Sequence, residues 1–283
     1  MISSRVKKSV AWHDNDSPAD PPNPTGSIAM GNAENWLIRP EVLPTMREAI
    51  QRDFTVNDLD YQKHLPGYPE LLQGIANFLN KFFSPRTPIL PDHGLTQRGA
   101  MEILESLLFT ICEENEGLLI DAPFWSGFGN AAHLRNSNQF IEVQRSSLSG
   151  DPEQIIKQYE KAMEGASCRV RGIIVCNPQN PFGHIYPTSY MEAVLKFCES
   201  HDIHYISDEI YGLSTWSDPN QPRSEPNPNI VESPEKKFTS VLSMNLKKLK
   251  VNPARVHVIY GISKDFGSSG LRLVCQTFAL CSH

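Results

Sequence analysis

The sequence contains no unbroken apolar run of the roughly 20 residues that a membrane-spanning helix requires. Its opening stretch, MISSRVKKSVAWHDND, is basic but lacks the apolar segment of a signal peptide. These absences argue against the helical-membrane and secreted classes, so a soluble, cytoplasmic chain is expected. Excess positive charge is missing too: 26 basic against 32 acidic side chains give a net charge of -6, and no basic stripe offers itself to nucleic acid. The six cysteines (Cys112, Cys168, Cys176, Cys198, Cys275, Cys281) are scattered through apolar segments without a C-x-x-C pair, so reduced thiols are expected rather than a disulfide framework. His201 and His204 form an H-x-x-H without a third ligand close by in sequence. They read as surface or packing residues, and no metal is assigned.

What is present is an ordinary globular composition, 40% hydrophobic and 20% charged, in a chain of 283 residues. That length predicts one large α/β domain plus part of a second. Residues 1–27 end in SPADPPNPTG, whose prolines remove amide donors, and are expected to form a disordered or draping tail. From Pro69, PELLQGIANFLNKFF places Leu72, Ile75, Leu79 and Phe82 at helical spacing, and SPRTP stops the helix. Alternating units follow: a helix over 99–114, a strand at 117–122, a helix near 127–135, a strand near 139–143, a helix around 152–164, and the apolar run at 172–176. A helix at 188–200, a strand at 203–207 and a last clear strand at 256–262 complete the series, with a proline-rich surface loop at 217–237. Short apolar strands alternating with helices predict a mostly parallel sheet covered on both faces. Such sheets bind ligands beyond the carboxyl ends of their strands.

The loops at those ends carry Pro123-Phe124-Trp125, Asn177-Pro-Gln-Asn180-Pro-Phe-Gly183, Asp208-Glu-Ile-Tyr211 and Ser263-Lys264-Asp-Phe-Gly267, the last followed by Arg272. Each has a plain structural explanation when taken singly. Together they match the needs of a cofactor with a pyridine ring, a phenolic oxygen, an aldehyde and a phosphate. Lys264 can supply an amine whose pKa burial brings down. Asp208 can pair with the ring nitrogen, so that the ring acts as an electron sink. Tyr211 and Asn180 can donate to the phenolic oxygen, and Trp125 can cover the ring face. For the phosphate, the amides of Ala100 and Met101 at a helix start, the Ser263 hydroxyl and Arg272 are available.

At this point the chain resembles the class I/II pyridoxal-phosphate-dependent aminotransferases, in particular the 1-aminocyclopropane-1-carboxylate synthase-like branch and its fungal members. The stretches that carry the resemblance are MGNAENWL (30–37), DAPFWSGF (121–128), VCNPQNPFGHIYP (175–187), ISDEIYGLSTW (206–216) and VHVIYGISKDFGSSGLRL (256–273). The resemblance implies fold type I of the pyridoxal-phosphate transferases, an α/β fold with a mostly parallel sheet flanked by helices. It implies a small-domain part over 28–68, a large cofactor-binding domain over 69–283, and a homodimer. It makes Lys264 the Schiff-base lysine, Asp208 the pyridinium partner, Asn180 and Tyr211 the phenolate ligands and Trp125 the stacking residue. Ala100, Met101, Ser263 and Arg272 become the phosphate site, Glu34 a substrate-facing residue, and Tyr61 the tyrosine that reaches the partner subunit's phosphate.

Three departures stand out. Met101 replaces a small hydroxyl residue, and the spacing around Tyr61 differs from the plant pattern. The resemblance fades after Leu273, and the family continues well past His283, so the part that completes the small domain and carries the carboxylate-binding arginine is expected to be absent. The expected activity is transamination of an amino acid, in amino-acid or secondary metabolism. Two alternatives stay open: C–S lyase or cyclopropane-synthase elimination, which share every step up to removal of the Cα proton, and a non-catalytic cofactor-binding remnant.

Overall fold

The computed structural model describes residues 31–61, 64–133, 137–144, 151–215 and 237–278. The tail expected at 1–27 and all but the last residue of the loop expected at 217–237 lie outside the described residues.

Seven strands form one sheet: β1 (Gly94–Arg98), β2 (Gly117–Ala122), β3 (Gln139–Gln144), β4 (Val170–Cys176), β5 (His204–Asp208), β6 (Val256–Gly261) and β7 (Leu273–Phe278), in the order β1-β7-β6-β5-β4-β2-β3. Strands β3, β2, β4, β5 and β6 run parallel. Strand β7 runs antiparallel to both of its neighbours, β6 and β1. The helices are α1 (Arg39–Asp53), α2 (Pro69–Phe82), α3 (Ala100–Ile111), α4 (Gly127–His133), α5 (Pro152–Glu164), α6 (Thr188–Ser200) and the single turn α7 (Leu246–Leu249).

Sequence explains why the layers close. In β2, β4 and β6 apolar residues run almost continuously, because helices cover both faces of the sheet and neither alternate position meets water. On one face Ala76 and Leu79 of α2, Ile155 and Tyr159 of α5, and Met191, Val194 and Leu195 of α6 pack on Leu119, Ile173, Tyr205 and Val258. On the other, Ile103, Leu104, Leu107 and Leu108 of α3 with Phe128 and Ala131 of α4 pack on Leu118, Ile120, Ile174, Ile206 and Ile259. The period of two along each strand sends neighbouring residues to opposite cores. Helix starts follow local chemistry: α2 and α5 open on proline, and the Asp151 carboxylate caps α5 by accepting from the Glu153 amide at 3.1 Å.

The sheet differs from the expected one at its β1–β7 edge. The sequence reading ends the sheet at β6, whereas β7 inserts between β6 and β1 and makes the sheet mixed. Both added strands are short and polar in part, GLTQR and LVCQTF, and carry little of the apolar signature of the central strands. Helix α1 is a further addition. Its apolar residues recur at helical spacing, but Pro44 interrupts the pattern and none of its residues is buried.

Candidate active site

The strand register brings the suspected loops to one edge. Ala122, Cys176, Asp208 and Gly261 end parallel strands there. Because β7 is antiparallel, it begins at that edge, with Val274 opposite Gly261 and Leu273 opposite Arg98, so Arg272 and the Arg98-Gly99 step arrive at the same place. Trp125, Asn180, Tyr211, Ser263, Lys264, Arg272 and the start of α3 therefore all lie at the end of the sheet where Asp208 closes β5.

Asp208 is the last residue of β5 and is buried. Its side chain lies on the α3 face of the sheet, where Oδ1 accepts from the Ile210 amide at 3.2 Å. Burial pushes its carboxyl up to about 6; the Ile210 hydrogen bond and the charge of Lys264 pull the other way. Tyr211 is half-buried, and Asn180 Nδ2 lies 3.5 Å from its hydroxyl. Burial, then the neighbouring Cys176 and Asp208, raise this phenol to about 12, so it stays a hydrogen-bond donor. Lys264 Nζ sits 5.7 Å from the Tyr211 ring centroid and donates to the Ala33 carbonyl at 2.7 Å. Partial burial lowers its pKa, Glu34 and Asp208 oppose that, and Arg272 adds to it.

Gly99 precedes α3 with φ 88°, a backbone conformation that side chains rarely tolerate. A Cβ there would collide with the Arg272 guanidinium, whose Cζ would be 3.0 Å away. The Arg272 guanidinium thus packs against the glycine that opens α3, whose first-turn amides have no acceptor within the helix. Ser263 is buried on the loop leaving β6. Trp125 is 41% exposed, folded over Gly127 and edge-on to Phe128 at 5.4 Å between ring centroids. Glu34 is held by Ser269 Oγ at 2.7 Å, Trp36 Nε1 at 2.9 Å and Arg39 at 3.2 Å, and the first two of these do most to lower its pKa. Tyr61 is fully exposed, and the structure does not bring it against the other candidates. Of the H-x-x-H pair, His201 caps the end of α6, while His204 lies in β5 with Nδ1 2.9 Å from His257 Nε2, a packing arrangement. Among the described residues no group of three or more potential ligands could hold a metal ion, and no helix is long and apolar enough to cross a membrane.

Residues 39–277 match the family Aminotransferase class I and II. The chain belongs to this family. It is 42% identical to aminotransferase verI of Clonostachys rogersoniana over 261 residues, 88% of this chain and 60% of that protein. It is 29% identical to 1-aminocyclopropane-1-carboxylate synthase 1 of Cucurbita pepo, over 92% of this chain and 51% of that one. The alanine aminotransferase from Pyrococcus furiosus superposes with a TM-score of 0.63 at 20% identity, over 87% of this chain and 53% of its own, and shares the fold. The fold of this aminotransferase-family chain is accordingly fold type I. The chain spans 60% or less of the length of the curated relatives it matches. The family match runs on to residue 277, through most of β7 and past Leu273, where the sequence reading let the resemblance lapse.

Three polar residues near the same strand ends were not singled out from the sequence. Glu209 is fully buried: Oε2 accepts from Ser240 Oγ at 2.6 Å, and Oε1 accepts from the Val241 amide at 2.8 Å and Ser207 Oγ at 3.0 Å. Gln179 joins two loops by donating to the Pro123 carbonyl at 2.7 Å and accepting from the Phe182 amide at 2.8 Å. Asp121 accepts from the hydroxyls of Tyr159 at 2.6 Å, Tyr190 at 2.9 Å and Tyr186 at 3.1 Å, and so anchors the strand end that leads to Trp125. The available signal was an acid or amide at the end of an otherwise apolar run, a pattern that burial permits only with partners. Tyr159→Phe removes one donor to a buried acid. It is expected to cost about 2 kcal/mol of unfolding free energy, measurable by urea denaturation.

Proposed function

We propose that the chain binds pyridoxal phosphate through Lys264 and acts on an amino acid as an aminotransferase, in amino-acid or secondary metabolism. The observation that carries this reading is the meeting, at one sheet edge, of a half-buried lysine, a buried aspartate, a tyrosine–asparagine pair and a glycine-backed helix start facing an arginine. The residues fit the cofactor. Gly99 lets the Arg272 guanidinium pack against the backbone that opens α3, and a cation beside free first-turn amides suits a phosphate dianion.

When bound, pyridoxal phosphate supplies an electron sink for the substrate's Cα–H bond electrons. Once the substrate's amine displaces it from the cofactor, Lys264 Nζ, its pKa lowered by burial, would be free to take the Cα proton. Asp208 would pair with the ring nitrogen and keep it protonated. Tyr211 and Asn180 would donate to the phenolic oxygen, Trp125 would cover the ring, and Ser263, Arg272 and the amides of Ala100 and Met101 would hold the phosphate. Glu34 faces the substrate. Tyr61, bare in one subunit, is free to reach the site of a second in a homodimer. In this reading 28–68 belongs to a small domain and 69–283 to the cofactor domain.

Adding pyridoxal phosphate to the purified chain should produce the visible absorption band of a lysine-bound cofactor; without that band the reading falls. A panel of amino acids with a keto-acid acceptor then separates the reactions. New amino acid marks transamination, free thiol or cyclopropane product marks elimination, and no spectral change with any substrate marks cofactor binding without turnover.

A further inference from the structure

We infer that Asp265 is a positioning residue for Lys264, locking the lysine's loop to the Tyr211 turn. The inference rests on the proposed use of Lys264 and Tyr211. Two loops must keep a fixed relation for these side chains to serve one ligand: the loop leaving β5, which carries Tyr211, and the loop leaving β6, which carries Lys264. At the strand ends a backbone bond joins them, from the Glu209 amide to the Ile259 carbonyl at 2.9 Å. Further out, the Asp265 carboxylate takes over. Its Oδ2 accepts from the Leu213 amide at 3.0 Å, and its Oδ1 accepts from Ser214 Oγ at 2.5 Å, both in the turn that Tyr211 opens.

The same carboxylate is braced from behind. Tyr260, in β6, donates its hydroxyl to Asp265 Oδ2 at 2.8 Å. The Tyr260 ring lies 5.5 Å from Phe78 and 4.8 Å from Phe83, and Phe266 lies 5.5 Å from Phe78. Residues on both sides of Asp265 are thereby tied to α2 and its C-terminal end, while its side chain clamps the opposite loop. A lysine immediately before such a clamp has its chain path set, with Nζ 5.7 Å from the Tyr211 ring centroid. Glu34, Asp208 and Arg272 are the charged groups that act on that amine, and all three influences depend on where the loop holds it.

The test is the pH profile of Lys264 reactivity in the cofactor-free chain, read by reductive methylation and mass spectrometry in wild type, Asp265→Ala, Asp265→Asn and Ser214→Ala. With the clamp removed the amine gains solvent, and in Asp265→Ala the midpoint should rise by roughly 0.5 to 1 unit. Asp265→Asn, which retains an acceptor oxygen, should restore part of the shift. Ser214→Ala should move it the same way by less, and since Ser214 is exposed, that variant carries the test if Asp265→Ala fails to fold. A carboxylate that adds only to global stability, without fixing the lysine's loop, would leave the midpoint alone, so an unchanged midpoint in all three variants overturns the inference. If wild type forms no visible band with pyridoxal phosphate, the functional proposal fails by itself, and the methylation profile still decides the role of Asp265.

Discussion

Lys264→Ala is expected to abolish the visible band of the pyridoxal-phosphate-treated chain completely while leaving its phosphate-dependent affinity largely in place. The phosphate ligands of the proposal, Arg272, Ser263 and the first amides of α3, are independent of the lysine side chain, so the cofactor should still be retained non-covalently. Turnover by an active form should fall by about 10²–10⁴-fold from loss of the general base alone. A substituted amine such as added methylamine would recover part of it. The measurement is an absorption titration beside equilibrium dialysis. A band of wild-type intensity in the variant would mean that another lysine holds the cofactor, and the site would have to be redrawn around that residue.

Glu209→Gln should flatten the pH dependence of stability above pH 4.5. Burial raises the Glu209 carboxyl from its ordinary 4.5 to about 7, against the pull of Ser240, Val241 and Ser207. In that window the folded chain keeps a proton that the unfolded chain has released. Stability is therefore full below pH 4.5 and is lost as pH rises through about 7. At about 1.4 kcal/mol per pH unit the total is on the order of 3 kcal/mol. The neutral amide that the substitution introduces removes this dependence. What slope remains comes from groups such as Asp208, raised to about 6, which acts with the same sign at lower pH. Urea denaturation at several pH values between 5 and 8 would show the wild-type curve falling and the variant curve flatter. Parallel curves would contradict the assignment of a buried, proton-binding Glu209.

The central layers of this fold were legible in sequence because burial on both faces leaves a simple trace. GLLIDA, VRGIIVC and VHVIYG can be read as strands from apolar continuity, and the helices between them from their spacing. Strands β1 and β7 were not legible, since what makes them strands is pairing with segments far off in sequence, for β1 across more than half of the chain, rather than their own composition. Site residues followed the same division. Lys264, Asp208 and Tyr211 stand directly after readable strands. Gly99 owes its importance to Arg272, and Asp265 to the Tyr211 turn, each brought close only by tertiary packing. Tyr61 shows the opposite limit: the resemblance assigns it a role, while its side chain is fully exposed and away from the other candidates.

The placement of β7 between β6 and β1 also sets a timetable for synthesis. Strand β1 is made before its sheet neighbour, which among the described residues is β7 alone, so from Ala100 to Arg272 the ribosome adds chain while β1 has no strand to pair with. At about 5–20 residues per second that wait is on the order of 10–30 s. During it, a polar strand tolerates exposure better than an apolar one. The weak hydrophobicity that hid GLTQR from a reading of the sequence also lowers its risk of aggregation on the nascent chain.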